Sequence, residues 1–175
     1  MPDAGLRGAS AMIPGFAPES VLERSLLGEP ELRRGWAWGA PRYGHPEGAV
    51  GNHVAAMLAA IEPDDPLRAD LRLLTLLHDT FKYRVRAGES WSPDNDHAEL
   101  AREFAERHGC PLRIARTLEL HDAPYWVWHR RGGDRALLAE ILARAPDREL
   151  LERFIALDAS TCGKDPAFLE WFQEE

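Results

Sequence analysis

Residues 73–82 read LLTLLHDTFK, a stretch that places polar side chains directly after an apolar run. Its last five positions supply an imidazole, a carboxylate and an ammonium group in His78, Asp79 and Lys82. A buried charge costs free energy unless a partner compensates it, so a core helix does not ordinarily end on such a pair. The stretch therefore predicts either an ordinary helix end that carries polar residues or the central part of a metal site.

Further metal-capable side chains occur on four other predicted helices, each on the apolar face of its helix. Each lies three, four or seven residues from apolar neighbours on the same helix, and this spacing directs it inward. They are His53, His97, His121 and Asp158. Together with His78 and Asp79, they make six nitrogen- and oxygen-bearing groups directed into one core.

Each of these residues also has an ordinary interpretation. A single inward histidine is commonly a hydrogen-bonded core residue, and Asp158 could form a buried ion pair with an arginine. The coincidence of six such groups favours a shared cation. The set contains no thiolate, so it suits one or two divalent ions (Mn, Fe, Co, Ni, Zn or Mg) in an open site rather than a closed structural zinc.

The elements that must position these groups are all helical. Apolar spacing and capping signals predict helices at 18–28, 50–61, 67–81, 97–109, 112–121, 134–144 and 147–161, and from 166 onward. Residues 1–17 are expected to form a loose arm, and residues 33–48, rich in Gly, Pro and aromatics, an ordered loop. Strand-like alternation, repeats and linkers are absent from the sequence. We therefore predict an all-α fold, one domain over 1–175, as a compact bundle of about six to eight helices.

Composition narrows the class of protein. The chain is 45% hydrophobic with a net charge of −8, which argues against an extended nucleic-acid surface but allows a small anionic substrate held by a few cations. Two cysteines, Cys110 and Cys162, cannot build a disulfide framework or a thiolate zinc site. The sequence has no signal peptide and no apolar stretch of membrane-spanning length. These features predict a cytoplasmic protein, and they leave its oligomeric state open.

The order of the candidate ligands resembles the H…HD…H…H…D pattern of the HD-domain superfamily of metal-dependent phosphohydrolases. HPEGAVGNHVAAML, at 45–58, looks like the start of the HD domains of bacterial tRNA nucleotidyltransferases. LLTLLHDTFK is similar to the family's apolar-HD-x-x-K helix end. DNDHAELAREFAERHG resembles the segment with the third histidine, and FIALDAST the helix with the last aspartate. The resemblance covers about residues 40–165 and implies the HD-domain helical bundle.

The resemblance also implies which residues share an ion. His53, His78, Asp79 and Asp158 would hold one metal ion; His97 and His121 would hold a second, with Asp79 bridging. The chain departs from the family's pattern at Phe81, where a Gly is usual, and before His97, where it has Asn–Asp. Phe81 is expected to narrow the pocket. We assign Asp122, part of a second His–Asp pair, to a helix end.

The implied chemistry is hydrolysis of a phosphate ester. A divalent ion lowers the pKa of its bound water and polarises a phosphoryl oxygen, with Asp79 as ligand and Lys82 neutralising the phosphate. Lys82 could equally be a helix-end lysine favoured by the helix dipole. Arg84, Arg86 and His45 are candidate substrate-binding residues. Solvated loop arginines are the commoner alternative for Arg84 and Arg86, and a hydrogen bond that stabilises the loop is an equal alternative for His45. Four tryptophans could stack on a base or simply pack as a wall, namely Trp36, Trp38, Trp126 and Trp128.

Three functions fit these residues. The leading hypothesis is a metal-dependent phosphohydrolase, a phosphomonoesterase or phosphodiesterase acting on a small phosphorylated substrate such as a nucleotide or cyclic nucleotide. A di-iron oxygenase would keep the same ligands and change the reaction. A non-catalytic nucleotide-binding regulatory module would keep the metal as a structural element.

Overall fold

The computed structural model describes residues 12–42 and 45–174, which form an all-α fold as the sequence predicts. In these ranges the helices are α1 (Val21–Leu26), α2 (Pro30–Trp36), α3 (Val50–Ala60), α4 (Arg68–Leu77), α5 (His97–Arg107), α6 (Leu112–Leu120), α7 (Ala123–Arg131), α8 (Arg135–Ala143), α9 (Arg148–Ala159) and α10 (Pro166–Gln173). Short 3-10 turns occupy Lys82–Arg84 and Pro93–Asn95. The described ranges contain no β-strand, only an isolated bridge between Arg42 and His45.

The described residues contain ten α-helices, more than the six to eight that were predicted, because two short helices escaped the sequence reasoning. Helix α2 begins at Pro30 and extends into the first four residues of the predicted loop over 33–48, and α7 contains Pro124, which was interpreted as the end of the preceding helix. In both helices a proline occupies the first turn, where its missing N–H is not needed by the helix. The helix predicted over 67–81 is also shorter in the structure, since α4 ends at Leu77 and residues 78–81 form turns.

Helix α4 is the centre of the fold. Every residue from 71 to 77 is buried, as expected of a helix surrounded by others. It packs against α3, α6 and α9, while α5 packs along α6. These five helices and the turn after α4 carry all six candidate ligands, so their packing determines whether those ligands meet.

Two smaller features complete the scaffold. A loose arm was predicted over residues 1–17, but Ile13 and Phe16 are buried in the main core, so residues 12–17 are ordered. Residues 1–11 of the predicted arm lie outside the described residues. Helices α7 to α10 enclose a second apolar cluster around Phe168. In the described part of the chain, no helix is both long and apolar enough to traverse a bilayer.

One close backbone approach fixes the turn that follows α4. A Cβ atom on Gly35 would lie 1.9 Å from the carbonyl oxygen of Thr80, so only glycine lets α2 pack this tightly. The Trp36 indole and the Thr80 hydroxyl both donate to the carbonyl of Leu76, at 2.9 and 2.7 Å. This turn contains His78 and Asp79, so the packing holds both side chains in place.

Candidate metal centre

The structure brings all six predicted ligands into two adjoining groups. His53, His78 and Asp158 form one group, in which one ligand atom from each side chain lies within 4.8 Å of the others. Asp79, His97 and His121 form the second group on the same criterion. Either group could hold a metal ion.

Asp79 lies between the two groups. Its Oδ2 is 3.6 Å from Nε2 of His78, and its Oδ1 is 3.7 Å from Nε2 of His97. The rings of His78 and His121 are also neighbours, with centroids 5.5 Å apart. One carboxylate therefore faces both groups, in the position that a bridging ligand requires.

The inner nitrogens of the four histidines lack hydrogen-bond partners. Nε2 of each ring is buried and unpaired, and so is Oδ1 of Asp158. Buried polar atoms are normally satisfied, because each unmade hydrogen bond leaves its desolvation cost uncompensated. These residues fit a metal ion, since a cation at the centre of each group would satisfy the lone pairs that now face one another.

Local helix geometry orients two of these rings. His78 and His121 each follow the last residue of a helix, and each directs Nδ1 to the carbonyl oxygen three residues earlier. These contacts are 3.1 Å to Thr75 and 2.6 Å to Leu118. A proton on Nδ1 leaves the Nε2 lone pair free, which is the state that binds a metal. The helix C-termini also favour positive charge at this place.

The remaining ligands are positioned by other local features. Asp96 caps α5, accepting hydrogen bonds from the N–H groups of Ala98 and Glu99, and so fixes the start of the helix where His97 lies. Nε2 of His53 is 2.9 Å from Oδ1 of Asp158. This contact is a hydrogen bond only when Nε2 carries the proton; otherwise two lone pairs oppose each other, as in a pair of metal ligands.

Two lysines keep the buried carboxylates ionised. Burial alone would raise the pKa of Asp79, but Lys82, whose Nζ is 2.7 Å from Oδ2, leads the charges that hold this pKa well below its usual value. Burial acts against Asp158 in the same way, and Lys164, 3.3 Å from Oδ1, is the main cause of its lowered pKa. Both aspartates are therefore anionic, as metal ligands must be.

Two of the buried histidines, His78 and His97, are electrically neutral near neutral pH. Desolvation lowers the pKa of His78 to about 3, despite the opposing attraction of Asp79 and Asp158. Burial likewise lowers the pKa of His97. These two neutral imidazoles and the ionised carboxylates are donors suited to divalent transition metals.

A cleft of about 870 Å³ lies over this centre. Its lining includes His45, Lys82, Asp122, Tyr125, Trp126 and Lys164. The ligands themselves are nearly inaccessible, with Asp79 only 4% and Asp158 only 5% exposed. Lys82 and Lys164 line the cleft and also touch these carboxylates, so they connect the open space with the buried centre.

The structure does not bring every predicted substrate-binding residue to the cleft. His45 is there, with Nδ1 3.0 Å from Oε1 of Glu47 and a pKa lowered by burial. Arg84 instead pairs with Glu31 beside a separate depression, and Arg86 pairs with Glu89 and Asp94 at the surface.

The prediction for Phe81 needs correction, and the two alternatives left open for the tryptophans can now be distinguished. Phe81 does not narrow the cleft: the side chain is fully buried and packs against Phe104. Trp36 is a core residue, and Trp128 packs on Trp171. Trp38 is 38% exposed beneath Arg42, so of the four candidate tryptophans only Trp126 lines the cleft.

Several cleft residues were missed because they belong to segments that were not recognised. Tyr125 and Arg130 come from α7, the helix that the sequence reasoning omitted, whereas Trp126 on the same helix was one of the candidate tryptophans. Lys164 comes from the loop between α9 and α10, which carried no signal in the sequence except its position six residues after Asp158. Asp122 precedes α7 at a helix end, as assigned, but makes no capping hydrogen bond and faces the cleft.

Comparison of this chain with protein-family models, with curated protein sequences and with solved structures finds no match. The resemblance to the HD-domain superfamily therefore stays a prediction. What can be said of the chemistry depends on the geometry of the six ligands and the cleft above them.

Proposed function

We propose that this chain is a metal-dependent phosphohydrolase of the HD-domain type that acts on a small phosphate ester. The observation that carries the proposal is the pair of adjoining three-ligand groups beneath a cleft that is lined by two lysines. Buried lone pairs that accept no hydrogen bond are stabilised by a cation, and the ammonium groups attract an anion. A phosphate ester is a substrate that needs both.

The ligand roles follow from the positions of the side chains. His53, His78 and Asp158 would hold one ion; Asp79, His97 and His121 would hold another. Bound there, a divalent ion would lower the pKa of a water molecule and polarise a phosphoryl oxygen. His78 and His121 keep their lone pairs inward through their Nδ1 contacts.

Lys82 has two tasks in this proposal. Its ammonium group is hydrogen-bonded to Oδ2 of Asp79, and the Lys82 side chain is 23% exposed. Burial would lower the pKa of Lys82, but Asp79 and Asp122 raise it, so the group stays charged. A charged ammonium at this point neutralises a phosphate oxygen while it keeps Asp79 ionised.

The size and walls of the cleft support a substrate as large as a nucleotide. A volume of about 870 Å³ falls within the ordinary range for small-molecule sites. Trp126 is 49% exposed and could stack on a base, and Tyr125 is held in place by stacking on Phe168 with ring centroids 3.9 Å apart. Nucleotides and cyclic nucleotides are therefore the first substrates to test.

The di-iron oxygenase is a second candidate because the same ligands could hold two iron ions. The lysines favour the hydrolase, since an oxygenase has no general need for cations beside its ligands. Iron after aerobic purification, with a visible or paramagnetic signal, would support the oxygenase. A cytoplasmic location is part of the proposal and is supported by the free thiols of Cys110 and Cys162.

The test is elemental analysis of the purified chain followed by a panel of phosphate esters with Mg, Mn, Co, Ni and Zn. We expect release of phosphate from at least one ester. His78→Ala and Asp79→Ala should abolish this activity and leave helical content largely intact. The matched control is His108→Ala, since His108 stacks on Phe104 and belongs to neither ligand group.

Two results would overturn the proposal. One is a full panel that shows no turnover with any of these metals, which would favour a binding module. The other is a His78→Ala protein with the activity of the wild type, since hydrolysis would then come from elsewhere.

A further inference from the structure

The lysines of this chain are confined to the candidate centre. The sequence contains 21 basic residues, of which only two are lysines, Lys82 and Lys164, and the other 19 are arginines. Both lysines contact a carboxylate of the ligand groups, and both line the cleft. Every salt-bridge cation seen elsewhere in the described residues is an arginine or a histidine. Lysine and arginine differ in one property that matters beside these carboxylates.

That property is the ease with which a lysine releases its partner. Arginine presents a rigid planar fork that binds a carboxylate through two parallel hydrogen bonds. Lysine carries a compact charge on a flexible four-carbon stem, so its ammonium group can move between partners that lie a few ångströms apart.

The ammonium group of Lys164 lies near two groups that attract a cation, the Asp158 carboxylate and the Tyr125 ring. Its Nζ lies 3.3 Å from Oδ1 and 3.4 Å from Oδ2 of Asp158, and 5.4 Å from the centre of the Tyr125 ring. The backbone that carries it is anchored on both sides. Thr161 donates its hydroxyl hydrogen bond to the carbonyl of Asp158, and Asp165 caps α10. The base of the Lys164 side chain is thus fixed between these two contacts, and any movement of the ammonium group must come from rotation of its flexible stem.

The contact with Asp158 conflicts with metal binding. Oδ1 of Asp158 is the atom that faces Nε2 of His53 at 2.9 Å and Nε2 of His78 at 4.0 Å. An ion shared by these three side chains would lie beside the ammonium group of Lys164. Like charges repel strongly at that separation in a buried setting, so the ammonium and the ion compete for one carboxylate.

We propose that Lys164 is an exchangeable counter-ion. In the metal-free chain it neutralises Asp158; when a divalent ion takes that carboxylate, its ammonium group turns into the cleft and binds an oxygen of the substrate's phosphate. This inference rests on the proposed function, because it needs both the metal and the phosphate. Its consequence is coupling: metal binding strengthens phosphate binding, and phosphate strengthens metal binding by the same factor.

Lysine-selective NMR tests the movement directly. With only two lysines, the full chain labelled at lysine Cε and Nζ gives two side-chain signals, and Lys82→Arg assigns them. We expect Mg²⁺ or Zn²⁺ to shift the Lys164 signal, and inorganic phosphate to shift it again only in the metal-loaded protein. A Lys164 signal that ignores a bound metal, or that responds to phosphate equally without metal, would refute the proposal.

Calorimetry on matched variants tests the competition. Lys164→Gln should bind the divalent ion about tenfold more tightly than the wild type, and the metal-loaded variant should bind inorganic phosphate about tenfold more weakly. Arg130→Gln is the control, because Arg130 is a cation that lines the same cleft but has no contact with Asp158. It should change metal affinity much less. If both variants change metal affinity equally, only net charge matters and the exchange does not occur.

Lys164→Arg covers the case in which Lys164→Gln folds poorly. Arginine keeps the positive charge but should bind the Asp158 carboxylate more tightly through two hydrogen bonds. The metal affinity of this variant should therefore fall below that of the wild type. An unchanged metal affinity in Lys164→Arg would count against the exchange.

Failure of this inference can be separated from failure of the proposed function. A wild-type chain that binds no divalent ion overturns both. A chain that binds metal and hydrolyses a phosphate ester, while its Lys164 variants match the wild type in both affinities, overturns the exchange alone.

Discussion

Two buried polar clusters in this molecule show the difference between a structural ion pair and a candidate site. Arg72 and Glu23 are 5% and 2% exposed, which makes them as buried as the metal ligands. The guanidinium donates to both carboxylate oxygens of Glu23 at 2.7 and 3.0 Å and to the carbonyl of Ala17 at 2.8 Å. Neither of these two side chains has a buried atom without a partner.

The His/Asp centre is equally buried but is not satisfied. Four imidazole nitrogens in it make no hydrogen bond, and neither does Oδ1 of Asp158, although Nζ of Lys164 lies 3.3 Å from that oxygen. Both clusters therefore bury charged groups, but only in the Arg72–Glu23 pair does every buried side-chain atom have a hydrogen-bond partner. Arg72 and Glu23 are explained by the fold alone, whereas the His/Asp centre has a geometry that could hold a metal ion.

The largest effect on stability is expected at the satisfied pair. Glu23→Ala leaves the Arg72 guanidinium buried without its carboxylate, which should lower the free energy of unfolding by about 3–5 kcal/mol. Urea unfolding measures this change. The control is the double variant Glu23→Leu with Arg72→Leu, which should recover most of the loss. A cost below about 1 kcal/mol for Glu23→Ala would mean that the pair is not structural.

Acid should weaken the metal-free protein through the histidines of the centre. The folded-state pKa of His78 is about 3, below the usual 6.5 of the unfolded chain. Between these values the unfolded state binds more protons, so stability is complete above pH 6.5 and falls as the pH drops toward 3. We expect a loss of a few kcal/mol, measured by urea unfolding at decreasing pH with a chelator present.

His78→Gln is the control for the acid effect, since its side chain does not titrate. The stability of this variant should depend less on pH over the same window. If the wild type and His78→Gln lose stability in parallel, His78 is not the group responsible.

Metal binding should stabilise the centre and leave the Arg72–Glu23 pair unaffected. A divalent ion at a free concentration one hundred times its Kd should raise the free energy of unfolding by about 2.7 kcal/mol. A rise in thermal midpoint that a chelator reverses would demonstrate it. Glu23→Gln should keep the full increment and His121→Gln should lose most of it. Equal increments in both variants would place the metal elsewhere.

The smallest effect is expected at the surface arginine that the sequence reasoning linked to substrate. Arg84 and Glu31 are each 41% exposed, so Arg84→Ala should cost less than about 0.5 kcal/mol. Arg84 does not line the cleft, so kcat/KM should stay within about twofold of the wild type, whereas Lys82→Gln should lose about 10²-fold. A tenfold loss in Arg84→Ala would restore its role as a substrate ligand.

Much of the ligand set was accessible from sequence because helices convert spacing into direction. His53, His97, His121 and Asp158 recur at helical steps with apolar residues, so their inward orientation followed from the 3.6-residue period alone. The same period predicted α3, α5, α6, α8 and α9 near their observed positions. It failed at α2, part of which was predicted as a loop rich in Gly, Pro and aromatics, and at α7, where Pro124 was interpreted as the end of the preceding helix.

The sequence by itself determined that this chain is helical and which side chains its helices direct inward, because both depend on neighbours within one or two turns. Only the tertiary structure decided that six of these side chains meet, that Lys164 reaches Asp158, and that Arg84 and Phe81 lie apart from the cleft. Those outcomes depend on how α4 packs against α3, α6 and α9. Distances between helices far apart in the chain are set by core packing, on which local spacing gives no information.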